Sequence, residues 1–236
     1  MITIRKAEDR GTANFGWLNS HHTFSFGHYY DPKHMGFSHL RVINDDTVTP
    51  SAGFETHGHK DMEIISYVLQ GRIAHKDSTG NIKELPAGEF QLMSAGKGIY
   101  HSEFNASDSQ TLKFLQIWIQ PNEFGGTPGY QQKDFGQQEG LTTVITPDGR
   151  DGTLSIKQNA SLHQLILSAD KAQDLNVENK RSLYIHQIEG ELTLQDGTVL
   201  HPGDGAKITE EGKVQLHNTG QDTVKALIFD LVEAAH

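Results

Sequence analysis

The chemistry-bearing residues of this chain crowd into two short stretches. "FETHGHKDMEI" (54–64) places His57, His59, Asp61 and Glu63 at alternate positions, and "GKGIYHSEFN" adds His101 and Glu103 about forty residues later. Alternate residues of an extended strand share one face. Each stretch therefore presents a pair of metal-binding side chains in one direction, and a small barrel would bring the two pairs together. Three neutral imidazoles and one carboxylate suit iron(II), nickel, copper, manganese or zinc. An octahedral ion held by four protein ligands keeps two positions for a chelating substrate, water or dioxygen. A lone HxH is more often a packed or surface pair, and it is the second His/Glu pair that turns the reading towards a metal.

The chain has no cysteine, so thiolate sites, disulfides and cysteine nucleophiles are all excluded and histidine with carboxylate must do any metal binding. Its net charge is -10, with no basic tract, which argues against direct contact with nucleic acid and leaves room for protein partners. No apolar run is long enough to span a bilayer, so no membrane role is expected. "MITIRKAEDRG" lacks the apolar core of a signal peptide, which makes the cytoplasm the default location.

The elements that must position these residues are short and alternating. "HLRVIND", "EIISYVLQG", "EFQLMSAG", "YHSEFN" and "LKFLQIWIQP" read as strands separated by turns such as "DSTGN" and "LPAGE". A short helix is expected only around "SADKAQDL". Residues 121–140 read as a connector, and strands resume beyond it. The halves repeat: Gly71, Gly80 and Gly88 correspond to Gly190, Gly197 and Gly203. Each copy reads as strand, glycine turn, strand, glycine turn, corner, strand, the pattern of an antiparallel sheet closing into a small barrel. Only the first copy carries the polar cluster. His186, His201 and His217 do not fall on its ligand positions, so no metal is expected in the second.

"HxHxxxE" before "VLQG", then "PAGEF" and "GxxHxxxN" (Gly98 to Asn105), resemble the two motifs of the cupin superfamily. "GWLNSHHTFSFGHYYDP", "MGFSHLRVINDD", "THGHKDMEIISYVLQG", "MSAGKGIYHSEFN", "FLQIWIQP" and "TPDGRDGTLSI" together resemble the pirin family. That resemblance implies an all-β bicupin, two tandem jelly-roll barrels of the double-stranded β-helix type. Residues 1–130 would form the metal-binding cupin domain and 131–236 a degenerate one without metal. It places the ligands on His57, His59, His101 and Glu103 and implies one divalent metal. Iron(II) is the expected ion, although nickel, copper, manganese, cobalt and zinc accept the same ligands. The implied activity is that of a quercetin 2,3-dioxygenase: a flavonol-like aromatic substrate and O2, cleavage of the central ring, release of carbon monoxide, and Glu103 as the catalytic base. The family also contains regulatory proteins, so a metal-binding interaction or stress-response protein is the alternative. A sugar isomerase reading is weaker, because no phosphate-binding cluster is evident.

Glu63 is the tempting carboxylate. Counting back from Gly71, however, the general cupin pattern puts a ligand at Ile64, and one residue of shift turns a side chain to the other face. Glu63 is therefore expected to support the site without binding the metal, and Asp61 to sit in a turn. The histidine- and aromatic-rich stretch from Asn19 to His39 is expected to cover the barrel mouth, with His22 and Phe24 as candidate pocket residues. In "FLQIWIQP", Phe114, Gln116 and Trp118 share a face. Gln116 and Trp118 join the pocket candidates, although core packing explains that strand equally well.

Overall fold

The computed structural model describes residues 1–233, so the last three residues of the expected second domain lie outside the described residues. The regular secondary structure of the described residues is almost all β, with nearly every strand pair antiparallel, and the chain divides into two compact units. One comprises Gly11–Gly136 with Ile156–Gln158, and the other comprises Met1–Arg10, Gln137–Ser155 and the chain from Asn159 onward. The N-terminal strand Ile2–Arg5 thus belongs to the second unit, where it pairs with Gly205–Ile208.

In the first unit a seven-stranded sheet runs in the order Gly129–Asp134, Glu89–Ser94, Glu63–Gln70, Leu112–Ile119, Leu40–Val48, Leu18–His22, Gly11–Asn14. A four-stranded sheet runs Gly53–His59, Ile99–Asn105, Arg72–Asp77, Ile82–Pro86. Ile73 and Leu85 of the smaller sheet share a buried cluster with Leu18, Val48, Val68, Leu112 and Phe114 of the larger. Burying those inner faces against each other closes the jelly roll. The second unit repeats the plan, with a seven-stranded and a four-stranded sheet around Leu165, Leu183, Ile185, Ala226, Ile228 and their neighbours.

The repeat glycines have the same structural job in both units. Gly71 and Gly190 take φ of 83° and 69°, and a Cβ on either would press on the backbone or the following residue of the neighbouring strand's start, at Thr111–Leu112 and Thr223–Val224. Only glycine meets both demands at little cost.

Two local expectations are corrected. "SADKAQDL" is not helical: Asp170 adopts φ of 60°, and Ala172–Asn176 is a strand paired with Lys213–His217. The ladder across that sheet outweighs the weak local helical preference. The presumed connector contains a strand, Gly129–Asp134, which extends the large sheet along Glu89–Ser94. Its polar residues suit a sheet edge, and this hid it from the hydrophobic pattern.

Candidate metal centre

Strands Gly53–His59 and Ile99–Asn105 are antiparallel neighbours, with His57 opposite His101 and His59 opposite Ile99. Between His101 and Glu103 the partner moves from His57 to Phe54, so the first strand carries one extra residue. This bulge re-aims the strand beside the site. Asp61 follows in a left-handed turn at φ of 47°, and its carboxylate accepts from the Gly125 N–H at 2.7 Å. The chain there leaves the small sheet, and Glu63 begins a strand of the large one. The alternation that seemed to join His57, His59, Asp61 and Glu63 is broken at that turn.

His57, His59 and His101 converge, with one ring nitrogen from each lying within 4.8 Å of the others. Their ring centres are 4.4 to 4.9 Å apart. Nε2 of His59 and Nε2 of His101 are separated by 3.0 Å. Two nitrogens on adjacent positions of one ion, each bonded at about 2.0–2.1 Å, would stand about 2.9 Å apart. Nδ1 of His57 lies 2.7 Å from the Glu55 carbonyl oxygen, which can only accept. Nδ1 therefore carries the proton, and the Nε2 lone pair is free to bind. Burial, helped by the neighbouring imidazoles, lowers the His59 pKa to about 4 and the His101 pKa to about 3. Both rings are neutral at physiological pH, the form that ligates. The residues present fit a divalent cation.

Glu103, two residues along the same strand from His101, is not one of the converging group. It is buried, with Oε2 accepting from Gln116 Nε2 at 2.9 Å and Oε1 from Ser66 Oγ at 3.3 Å. Each oxygen retains a lone-pair site beyond those bonds. Behind it, His75 faces Glu103 across the strand pair and bonds Asp77 at 2.7 Å. Burial opposes the Asp77 charge, but hydrogen bonds from His75, Thr79 and Asn81 outweigh it and hold the pKa at about 2.

Glu63 is almost fully buried on the large sheet. It accepts from the Lys157 N–H at 2.6 Å and from Ser94 Oγ at 3.1 Å, within its own unit. Burial raises its pKa against those two bonds. Trp118 sets its ring edge against His59, centroids 5.1 Å apart, and against Phe26 at 5.4 Å. Phe24 is packed in the core and does not line the adjoining cavity.

That cavity, of about 160 Å³, is lined by His22, Asn44, Asp46, Ser20, Gln116 and the rings of Phe15, Phe26, Tyr29 and Phe54, among others. On its other side Phe54, with His57, Trp17 and Phe104, borders a more open groove of about 690 Å³. Strand register aligns His22, Asn44, Gln116 and Ser66 as one row across four strands, ending at Glu103. Asn44, Asp46 and Ser66 were not singled out from the sequence. The signal existed: in "VINDDTV" Asn44 and Asp46 are in phase with the buried Val42 and Val48, polar residues at inward positions.

Fold and site together define a bicupin whose N-terminal barrel holds a three-histidine group fit for a divalent metal. The Pirin family profile matches residues 3–119, and that of the quercetinase C-terminal cupin domain matches 143–231. The chain is 47% identical over 231 residues to a quercetin 2,3-dioxygenase of Escherichia coli (strain K12), covering 98% of this chain and 99% of that one. It is 41% identical to a putative quercetin 2,3-dioxygenase of Pasteurella multocida, with 98% and 100% covered. The crystal structure of the bacterial pirin YhhW from Escherichia coli in complex with nickel(II) superimposes with a TM-score of 0.95 at 46% identity, covering 99% of this chain and all of that one. The chain belongs to the pirin family.

Proposed function

We propose that this protein is a metal-dependent dioxygenase of the quercetin 2,3-dioxygenase type, cleaving the central ring of a flavonol with O2 and releasing carbon monoxide. The observation that carries the chemistry is the convergence of three imidazoles beside a buried carboxylate. The 47% identity to a quercetin 2,3-dioxygenase over nearly the whole chain supports the choice of reaction.

His57, His59 and His101 would hold the ion, with Glu103 as fourth ligand. Iron(II) is our assignment, and nickel, bound by the Escherichia coli pirin, suits the same donors. When bound, the ion supplies positive charge that acidifies the flavonol 3-hydroxyl and leaves room for dioxygen.

The protein's own residues handle the proton and the fit. Glu103 accepts the 3-hydroxyl proton on a carboxylate oxygen, and the hydrogen bonds from Gln116 and Ser66 fix that carboxylate in place. His57 is held in its binding tautomer by the Glu55 carbonyl. Trp118 and Phe54 place aromatic rings beside His59 and His57, which exclude water and accept a planar substrate.

The test is metal analysis of the purified protein combined with quercetin absorbance decay and carbon monoxide release, with metal-stripped protein as control. Metal-dependent release of carbon monoxide is expected. Stoichiometric metal with no carbon monoxide from quercetin would overturn the assignment.

A further inference from the structure

The cavity beside the metal centre is both too small and too polar in particular places to be an unspecialised extension of the active site. Its volume of about 160 Å³ is close to the ~150 Å³ of a protein cavity known to take up benzene, and well below the ~300 Å³ at which drug-sized sites begin. One aromatic ring fits, whereas a three-ring flavonol does not. Its walls include Phe15, Phe26, Tyr29 and Phe54, suited to edge and face contacts with such a ring.

The polar groups are less ordinary. His22 is 3% exposed, lines the cavity, and has no hydrogen-bond partner for either ring nitrogen among the described residues. Asn44, opposite it on the next strand and 4% exposed, also lines the cavity, and its Oδ1 has no hydrogen-bond partner among the described residues. Buried polar groups are nearly always bonded, so two orphans on one wall call for an outside partner. Burial, with a smaller contribution from His21, lowers the His22 pKa and favours the neutral ring, which offers one donor and one acceptor. Asn44 Oδ1 adds an acceptor. A phenolic hydroxyl, which both donates and accepts, matches this set, whereas a bare phenyl ring leaves it unsatisfied.

We propose that this cavity is a seat for a single hydroxylated aromatic ring, whose hydroxyl groups are read by His22 and Asn44. Resting on the flavonol reading of the neighbouring metal centre, the ring is the pendant aryl group, the one part of a flavonol that is a single ring. The row from His22 through Asn44 and Gln116 to Glu103 then runs from the reader of that ring to the group that takes the 3-hydroxyl proton.

The ring seat is tested apart from catalysis. Resorcinol, which cannot chelate one ion through both oxygens, and benzene are titrated calorimetrically into the metal-loaded protein and into the same protein after chelator treatment. Resorcinol is expected to bind at least about tenfold tighter than benzene in both, because only it satisfies the orphaned groups. His22→Phe and, independently, Asn44→Leu should reduce that ratio to within about threefold, with thermal melts confirming that each variant is folded. Equal or tighter binding of benzene, binding of neither ring, or a ratio unchanged in both variants would overturn the proposal. A resorcinol preference that disappears on removing the metal would also overturn it, since the ion would then be the reader. In turnover, a flavonol with a hydroxylated pendant ring should show a KM at least about tenfold below that of its unsubstituted analogue, and the variants should close the gap. Absence of carbon monoxide from any flavonol, with the resorcinol preference intact, would overturn the dioxygenase reading alone.

Discussion

His57 and His101 stand opposite one another on paired antiparallel strands, with ring centres 4.4 Å apart. Neither makes the site alone: one arrives on the strand before the Asp61 turn and the other on the strand after the Gly96–Gly98 turn. Removing either ring should break the group. His101→Ala is expected to weaken metal binding by more than about 100-fold, because residues that only orient ligands are already worth 10–100-fold. Elemental analysis after dialysis at a fixed free-metal concentration measures this. Retention of one equivalent would remove His101 from the ligand set.

Glu103 and Glu63 separate by experiment. Glu103→Gln keeps the shape and the bond potential towards Ser66 but removes the base, so the variant should retain metal and lose about 10²–10⁴-fold in kcat. Normal turnover of a metal-loaded Glu103→Gln would eliminate the proton-acceptor role.

Glu63→Ala should do the reverse. It strips the partners of the Lys157 N–H and Ser94 Oγ, both within one unit, and leaves a cavity. A loss of about 2–4 kcal/mol in stability is expected, with metal content unchanged. Denaturant titration alongside metal analysis reads both effects. Loss of metal without loss of stability would make Glu63 a ligand after all.

Asp46 makes a pH signature. Burial, only partly offset by the Ser20 hydrogen bond, raises its pKa to about 7 in the folded protein, against 3.8 for the free side chain. The folded state thus holds this proton more tightly than the unfolded one. Its contribution is full below pH 3.8 and lost as pH rises through 7. Asp46→Asn has no proton to lose. The stability difference between variant and wild type should therefore shift in the variant's favour from pH 5 to pH 8, as followed by thermal melts of both proteins. A difference independent of pH would show that Asp46 does not titrate there.

Gly71 tests the repeat. With φ of 83° and the Thr111 carbonyl 3.2 Å from where a Cβ would sit, Gly71→Ala should cost about 1–2 kcal/mol. Gly190→Ala should cost more, since its φ is 69° and the Thr223 carbonyl is only 2.7 Å from the Cβ position. The contrast is Gly80→Ala. Its φ is also positive, but no atom lies near its Cβ position, so it pays for backbone strain alone.

The sequence by itself determined the strands, the glycine turns, the duplication and the two pairs of candidate ligands. All of these are written in local periods of two and in residue types that only certain φ values accept. It also gave grounds to distrust Glu63, because a one-residue register shift reverses a side chain and is countable from Gly71. Tertiary structure alone decided what depends on register between distant strands. The bulge opposite His101, the pairing of His22 with Asn44 and Asn44 with Gln116, and the pinning of Glu103 by Ser66 all join residues far apart in the chain. The strand Gly129–Asp134 belongs to the same class, being stabilised by its ladder rather than by its own sequence. Alternation says which residues share a face, but only the closed barrel says which faces meet.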